Sequence, residues 1–110
     1  MTAVSLKKIL TDANKYNYAV AGLVVLAWDD ALAFTKAADE TGVPIILQAG
    51  PSCREHTPVP ILGKMFRYLA AQTKTHVCCH IDHGYTSVSY THLRAHETLM
   101  NLVCRLLLEK

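Results

Sequence analysis

The stretch HVCCHIDHG, residues 76–84, decides the fold. Residues 76–81 (HVCCHI) are predicted to be a buried strand, and Asp82 ends it. Two earlier runs, YAVAGLVVLA at 18–27 and IIL at 45–47, predict two more buried strands. A β–α unit therefore repeats about every 30 residues, which is typical of an α/β fold with a parallel sheet.

Helical patterns separate the three predicted strands. Ser5 is a capping residue in front of a first apolar stripe, and residues 31–41 are helix-forming up to a stop at Gly42. The polar, proline-rich segment 49–60 is predicted to be a long loop. The two apolar stripes consist of Leu6, Ile9, Leu10 and Ala13, and of Val59, Leu62, Phe66 and Leu69.

Two architectures share this rhythm, an open doubly wound sheet and an eight-stranded barrel. A closed barrel needs roughly 250 residues. If the fold is a barrel, this chain of 110 residues contains its first third.

Composition narrows the class of protein. Apolar residues make up 51% of the chain and the formal charge is +2, which argues for a globular domain and against a nucleic-acid partner. The four cysteines form no Cys-x-x-Cys pair, and neighbouring Cys78 and Cys79 would point to opposite faces of a strand. A disulfide framework or a zinc ribbon is therefore not expected, and a reduced, cytoplasmic compartment is the default. The longest apolar run, residues 19–28, is about half the length of a bilayer span, so no membrane partner is expected.

Residues 80–84, HIDHG, resemble the end of the third barrel strand in the class II, zinc-dependent ketose-bisphosphate aldolases. The resemblance continues at 6–10 (LKKIL), 18–20 (YAV) and 44–47 (PIIL), and covers about residues 5–86 in order. It implies an N-terminal fragment of a (β/α)8 TIM barrel and a lyase of carbohydrate metabolism that acts on fructose- or tagatose-bisphosphate.

The resemblance also implies roles for individual residues. Asp82 matches the catalytic acid/base, His83 matches a zinc ligand, and His80 is a candidate to orient the metal site from behind. Zinc polarises a carbonyl, and retro-aldol cleavage needs a base for the neighbouring hydroxyl, which suits an Asp beside the metal. The remaining zinc ligands and the substrate contacts are expected on later strands. The implied partners are a sugar phosphate and further copies of the enzyme in a homo-oligomer.

Several alternatives stay open on these residues. His80 fits a core histidine as well as a functional one. Val24 and Gly50 replace the polar residues that are usual in the family, which favours a divergent or inactive barrel relative with another substrate. A small non-enzymatic α/β binding domain is the alternative from another functional class.

The chain is predicted to consist of two pieces. Residues 1–87 are the partial barrel, whereas residues 88–110 resemble one translated frame of the adapter used in transposase-based sequencing libraries. The tail is still predicted to be helical because its leucines form an apolar stripe. In the biological alternative it is the third barrel helix, with His92 and His96 on one face as zinc ligands. The fragment itself is expected to be inactive.

Overall fold

A computed structural model describes residues 2–83, which form a three-stranded parallel sheet with helices between the strands. The elements are α1 (Leu6–Tyr16), β1 (Ala21–Val25), α2 (Trp28–Thr41), β2 (Ile45–Ala49), α3 (Pro51–His56), α4 (Val59–Gln72) and β3 (Val77–Ile81). The strand order is β1-β2-β3, so the predicted α/β class and its three parallel strands are confirmed. Within residues 2–83, no helix is both long and apolar enough to cross a membrane.

The three strands run in register over their whole length. Ala21, Ile45 and Val77 are partners at the amino ends of the strands. Val25, Ala49 and Ile81 are partners at the carboxyl ends. The segments that follow the three strands therefore all begin at the same end of the sheet, its carboxyl edge. Active sites of α/β proteins lie at this end.

The core lies between the sheet and two helices that pack side by side. α2 contacts β1 and β2, α4 contacts β3, and the two helices contact each other, so both lie on one face of the sheet. Leu62, Phe66 and Leu69 on α4 are buried, which confirms the predicted stripe. Cys78 and Cys79 are buried on opposite faces of β3, as core residues.

The helix ends follow the capping signals of the sequence. The Ser5 hydroxyl accepts a hydrogen bond of 3.1 Å from the Lys8 amide at the start of α1. Gly42 ends α2 with a φ of 69° and donates its N–H to the Ala38 carbonyl at 2.8 Å. The stripe on α1 is only partly correct, because Leu10 is exposed while Ile9 and Ala13 are buried.

The first strand differs from its prediction. It is only five residues long, and Ala21, Gly22 and Val24 are exposed, so the expectation of burial on both faces is wrong for β1. The physical reason is its place at an edge of the described sheet, where only β2 pairs with it. The same expectation is confirmed for β2 and β3, whose residues are buried except for half-buried Gln48 and His80.

The predicted loop at 49–60 contains a helix, α3, so the loop assignment is wrong. Pro51 occupies the first turn, where its fixed φ suits a helix and its missing N–H is not needed. Gly50 precedes it as the N-cap residue. This short helix begins directly after the carboxyl end of β2, and its Arg54 side chain reaches the residues that follow β3.

Candidate active site

Asp82 is held at the carboxyl edge of the sheet by its backbone. Its N–H donates to the Ala49 carbonyl at 3.1 Å, which continues the β2–β3 ladder one residue beyond Ile81. The Asp82 side chain is 29% exposed, so the carboxylate is partly desolvated yet reachable from solvent. The site residue predicted from the sequence therefore lies at the edge where an α/β active site is expected.

His83 turns the chain immediately after Asp82. Its φ is 56°, a left-handed conformation that is uncommon for a residue with a Cβ. Its imidazole is 62% exposed, and Nε2 lies 3.8 Å from Asp82 Oδ2. The turn thus brings an accessible imidazole and a carboxylate together as a pair.

Arg54 connects α3 to this turn through three backbone carbonyls. Its Nη1 donates to the carbonyls of Ala49 at 2.6 Å and Asp82 at 2.7 Å. Its Nη2 donates to the His83 carbonyl at 2.6 Å. One guanidinium therefore spans the ends of two neighbouring strands and both candidate site residues.

Three paired residues, one on each strand, lie two positions before Asp82 along the strand direction. Val24, Gln48 and His80 are register partners on β1, β2 and β3. Because side chains alternate along a strand, His80 points to the same side of the sheet as the position of Asp82. Gln48 approaches β1 so closely that a Cβ on Gly22 would lie 2.9 Å from its amide nitrogen. This face of the sheet is therefore polar at Gln48 and His80 and apolar at Val24, whose side chain is 51% exposed.

Gly50, which like Val24 replaces a polar residue usual in the family, directly follows β2 at the carboxyl edge of the sheet. Its φ of −80° and ψ of 178° are extended backbone that any residue adopts. No atom approaches within 4 Å of the position that a Cβ would take. The structure therefore leaves room for a side chain there.

The other histidines of the described segment lie apart from Asp82 and His83. His56 is exposed at the end of α3, where its Nδ1 is 3.1 Å from the Thr57 hydroxyl. His76 immediately precedes β3, at the opposite edge of the sheet. His92 and His96 are outside the described residues, as is the predicted tail 88–110.

Imidazole nitrogen and carboxylate oxygen are both zinc ligands in proteins, and an exposed imidazole beside a carboxylate fits such an ion. Residues 2–83 contain no group of three or more His, Cys, Asp or Glu side chains that could hold a metal ion. The described segment therefore contains one pair of candidate ligands, Asp82 and His83, and not a full ligand set.

Arg54 is the residue that the sequence reasoning missed. The assignment of 49–60 to a loop left this side chain without a fixed direction. The Gly50-Pro51 pair, an N-cap candidate followed by proline at the first helical position, is the local signal that could have revealed α3. The contact from Arg54 to residues 82 and 83 spans 28 and 29 positions, which no local pattern encodes.

Comparison of the sequence with known protein families identifies the family of this chain. The sequence model of the family described as "Fructose-bisphosphate aldolase class-II" matches residues 4–103. The chain belongs to the class II fructose-bisphosphate aldolase family. The resemblance inferred from residues 80–84 is therefore confirmed.

Two aldolases with curated descriptions are similar to the chain. The "Fructose-bisphosphate aldolase" of Stutzerimonas stutzeri is 31% identical over 86 residues, which are 76% of this chain and 24% of the relative. The "Fructose-bisphosphate aldolase, plasmid" of Cupriavidus necator is 32% identical over 88 residues, 76% of this chain and 25% of the relative. The chain thus spans about a quarter of the length of these aldolases.

Solved structures agree on the fold. The crystal structure of the YdjI aldolase from Escherichia coli K12 superimposes with a TM-score of 0.77 at 22% identity, and the match covers 87% of this chain and 38% of that one. Of the two architectures left open by the sequence, the structural likeness favours the partial barrel of an aldolase. The family match also crosses the boundary predicted at residue 87, which lies outside the described residues.

Proposed function

We propose that this chain is the N-terminal segment of a zinc-dependent aldolase that reversibly cleaves a ketose bisphosphate, with Asp82 as acid/base and His83 as one zinc ligand. The observation that supports it is the pairing of an exposed imidazole with a carboxylate 3.8 Å away at the carboxyl edge of the sheet. The substrate class follows the family and the names of the relatives, which are fructose-bisphosphate aldolases.

Zinc, when bound, supplies a Lewis acid for the substrate carbonyl. The chain's own residues perform the proton transfer. The Asp82 carboxylate accepts the proton of the hydroxyl next to the scissile C–C bond, and that carbon becomes an aldehyde as the bond breaks. The electron pair of the broken bond passes to the ketone half, and a proton returned to that carbon completes the product. His80, half-buried on β3 below this pair, orients the site in this proposal.

The 110-residue chain is proposed to be inactive alone, because it spans about a quarter of the length of the aldolases that it matches and the remaining zinc ligands are expected on later strands. The same proposal includes a cytoplasmic location, a sugar phosphate as the small-molecule partner and a homo-oligomeric parent enzyme, without nucleic-acid or membrane partners. These properties follow the family resemblance and the absence of a Cys-x-x-Cys pattern in the sequence.

The test uses a full-length protein that contains this segment, purified with zinc. Asp82→Asn is expected to lower kcat for cleavage of fructose-1,6-bisphosphate about 100-fold or more while zinc content stays unchanged. His83→Ala is expected to reduce zinc content as well as activity. The matched control is His56→Ala, because His56 is exposed and lies apart from the pair. Full activity in Asp82→Asn, or unchanged zinc content in His83→Ala, contradicts the assigned roles.

A second candidate function is a barrel relative with another substrate or without activity. Exposed Val24 favours it, because an apolar side chain there cannot donate a hydrogen bond to a sugar phosphate. The aldolase assay decides between the two candidates when Val24→Asn is included. A gain in kcat/KM for the bisphosphate in this variant favours a divergent substrate, whereas an inactive parent and an inactive variant favour the inactive relative.

The division at residue 87 is also part of the proposal. Residues 1–87 belong to the barrel, and residues 88–110 derive from adapter sequence, on the strength of their resemblance to it. Genomic DNA sequenced across codon 87 in independent clones tests this division. Continuation into a fourth strand supports it, and recovery of VSYTHLRAHET (88–98) from genomic DNA contradicts it.

A further inference from the structure

The backbone at His83, directly after Asp82, has an uncommon left-handed conformation that contacts from elsewhere in the chain can stabilise. A residue with a Cβ is strained in the left-handed region, and His83 has neither the missing side chain of glycine nor the short amide of asparagine. Such a conformation persists where surrounding contacts fix it. Within residues 2–83, the last backbone bond of the ladder joins Asp82 to Ala49.

Arg54 supplies contacts beyond the Asp82–Ala49 bond. Its Nη2 donates to the carbonyl of His83 itself, while its Nη1 donates to the carbonyls of Asp82 and Ala49. Hydrogen bonds from a charged guanidinium are short and strong, and its planar fork sets their directions. The left-handed residue is therefore attached to the same donor group as the end of β2.

The position of Arg54 is itself well defined. α3 begins with Gly50 and Pro51 directly at the end of β2, and buried Cys53 anchors the helix in the core beside Arg54. The Thr57 amide closes the helix by donating to the Cys53 carbonyl at 2.9 Å. The stem of Arg54 thus starts from a short, packed helix and not from a free loop.

We infer that Arg54 is a positioning residue, whose guanidinium fixes the backbone of Asp82 and His83 so that carboxylate and imidazole face the substrate together. This inference rests on the proposed function for its catalytic consequence. Its structural part, the effect of Arg54 on the His83 backbone, holds or fails independently of any activity.

The structural part is tested on the 110-residue chain by NMR. A residue with positive φ shows a strong contact between its own amide and α protons, so His83 should show this contact in the parent chain. Arg54→Lys and Arg54→Gln should weaken it and should speed hydrogen exchange of the Asp82 amide at least tenfold. Lysine keeps the charge but lacks the planar fork, so it should not rescue the turn. The matched control is Arg67→Gln, because Arg67 is an exposed arginine on α4.

An unchanged His83 signal together with unchanged Asp82 exchange in both Arg54 variants overturns the inference. Global unfolding of both variants also overturns it, because Arg54 would then stabilise the whole segment and not this turn in particular. Local loss at residues 82 and 83 with an intact sheet supports it.

The catalytic consequence is tested in a full-length protein that contains the segment. Arg54→Lys should lower kcat at least tenfold with KM changed less than threefold, and Arg67→Gln should leave both within twofold. Equal losses in the two variants, or a change confined to KM, overturn the positioning role. A parent enzyme without aldolase activity contradicts the proposed function alone, since the NMR result still decides whether Arg54 holds the turn.

Discussion

Alkaline pH should destabilise the described fold through two neighbouring thiols. Cys78 and Cys79 are buried on β3, and neither is in a disulfide. Burial raises the pKa of Cys78 from its ordinary value of 9.0 to about 12. It also raises the pKa of Cys79, to which the neighbouring Cys78 thiol contributes as a smaller cause. Both thiols therefore stay protonated in the folded chain under conditions that ionise them in the unfolded chain.

The direction of the effect follows from the protons that each state binds. Below pH 9 both states keep these protons, so the thiols leave the free energy of unfolding unchanged. Between pH 9 and about 12 the unfolded chain releases protons that the folded chain retains, so stability falls as pH rises. From pH 8 to pH 10 the loss is between about 1 and 2 kcal/mol per thiol, or about 3 kcal/mol for the pair.

The assay is urea denaturation followed by far-ultraviolet circular dichroism at pH 7, 8, 9 and 10, with a phosphine reductant present. The double variant Cys78→Ala, Cys79→Ala starts from a lower stability, but its free energy of unfolding should fall by about 3 kcal/mol less between pH 8 and pH 10. Cys53→Ala is the single comparison and should reduce the pH slope less than the double variant does, since burial raises the pKa of this one thiol and nearby Arg54 partly offsets the rise. Equal pH slopes for the parent and the double variant would refute the reasoning.

Two further pairs of substitutions test the backbone at two glycines and the packing of α4. Gly50→Ser should raise the free energy of unfolding by about 0.5 kcal/mol, because the position is open, its φ is ordinary, and serine caps α3 better than glycine. Gly42→Ser is the control and should lower the free energy of unfolding by about 1 kcal/mol, since the φ of Gly42 is 69°. A urea midpoint that is lower for Gly50→Ser than for Gly42→Ser contradicts both statements. Phe66→Ala should cost about 3 to 5 kcal/mol because Phe66 is fully buried, whereas Ile61→Ala on the exposed side of α4 should change stability by less than about 0.5 kcal/mol. Similar losses from both would show that α4 does not pack on the face described.

Much of the fold was predictable because its signals are local. The stripe of α4, the Ser5 cap of α1 and the Gly42 end of α2 all depend on residues within one or two turns of each other. The apolar run at 45–47 indicates β2 and the segment 76–81 indicates β3, and the residues of both strands are buried except for half-buried Gln48 and His80.

The errors share a physical cause, which is dependence on distant parts of the chain. The apolar run at 18–27 predicts a buried strand, but burial requires neighbours on both sides, and only β2 pairs with β1 in the described segment. α3 is only six residues long, too short to show a helical period, so its polar sequence predicts a loop.

The candidate site was predictable in identity and only partly in geometry. The order of residues 80–84 indicated Asp82 and His83, and the end of a strand explained their place at the carboxyl edge. The left-handed turn at His83 and its contact with Arg54 could not be read from the same stretch, because the supporting residue follows a different strand.

The site consequently depends on two separate kinds of hydrogen bond. The ladder from Asp82 to Ala49 belongs to the sheet and would form with almost any residue at position 82, since it uses only the backbone. The bonds from Arg54 use a side chain and extend to His83, one residue beyond the last ladder bond in the part of the chain that the structure describes. Substitution at Arg54 should therefore disturb residues 82 and 83 more than the paired strands that precede them. A substitution at Arg54 can therefore displace the site residues while the sheet that carries them stays folded.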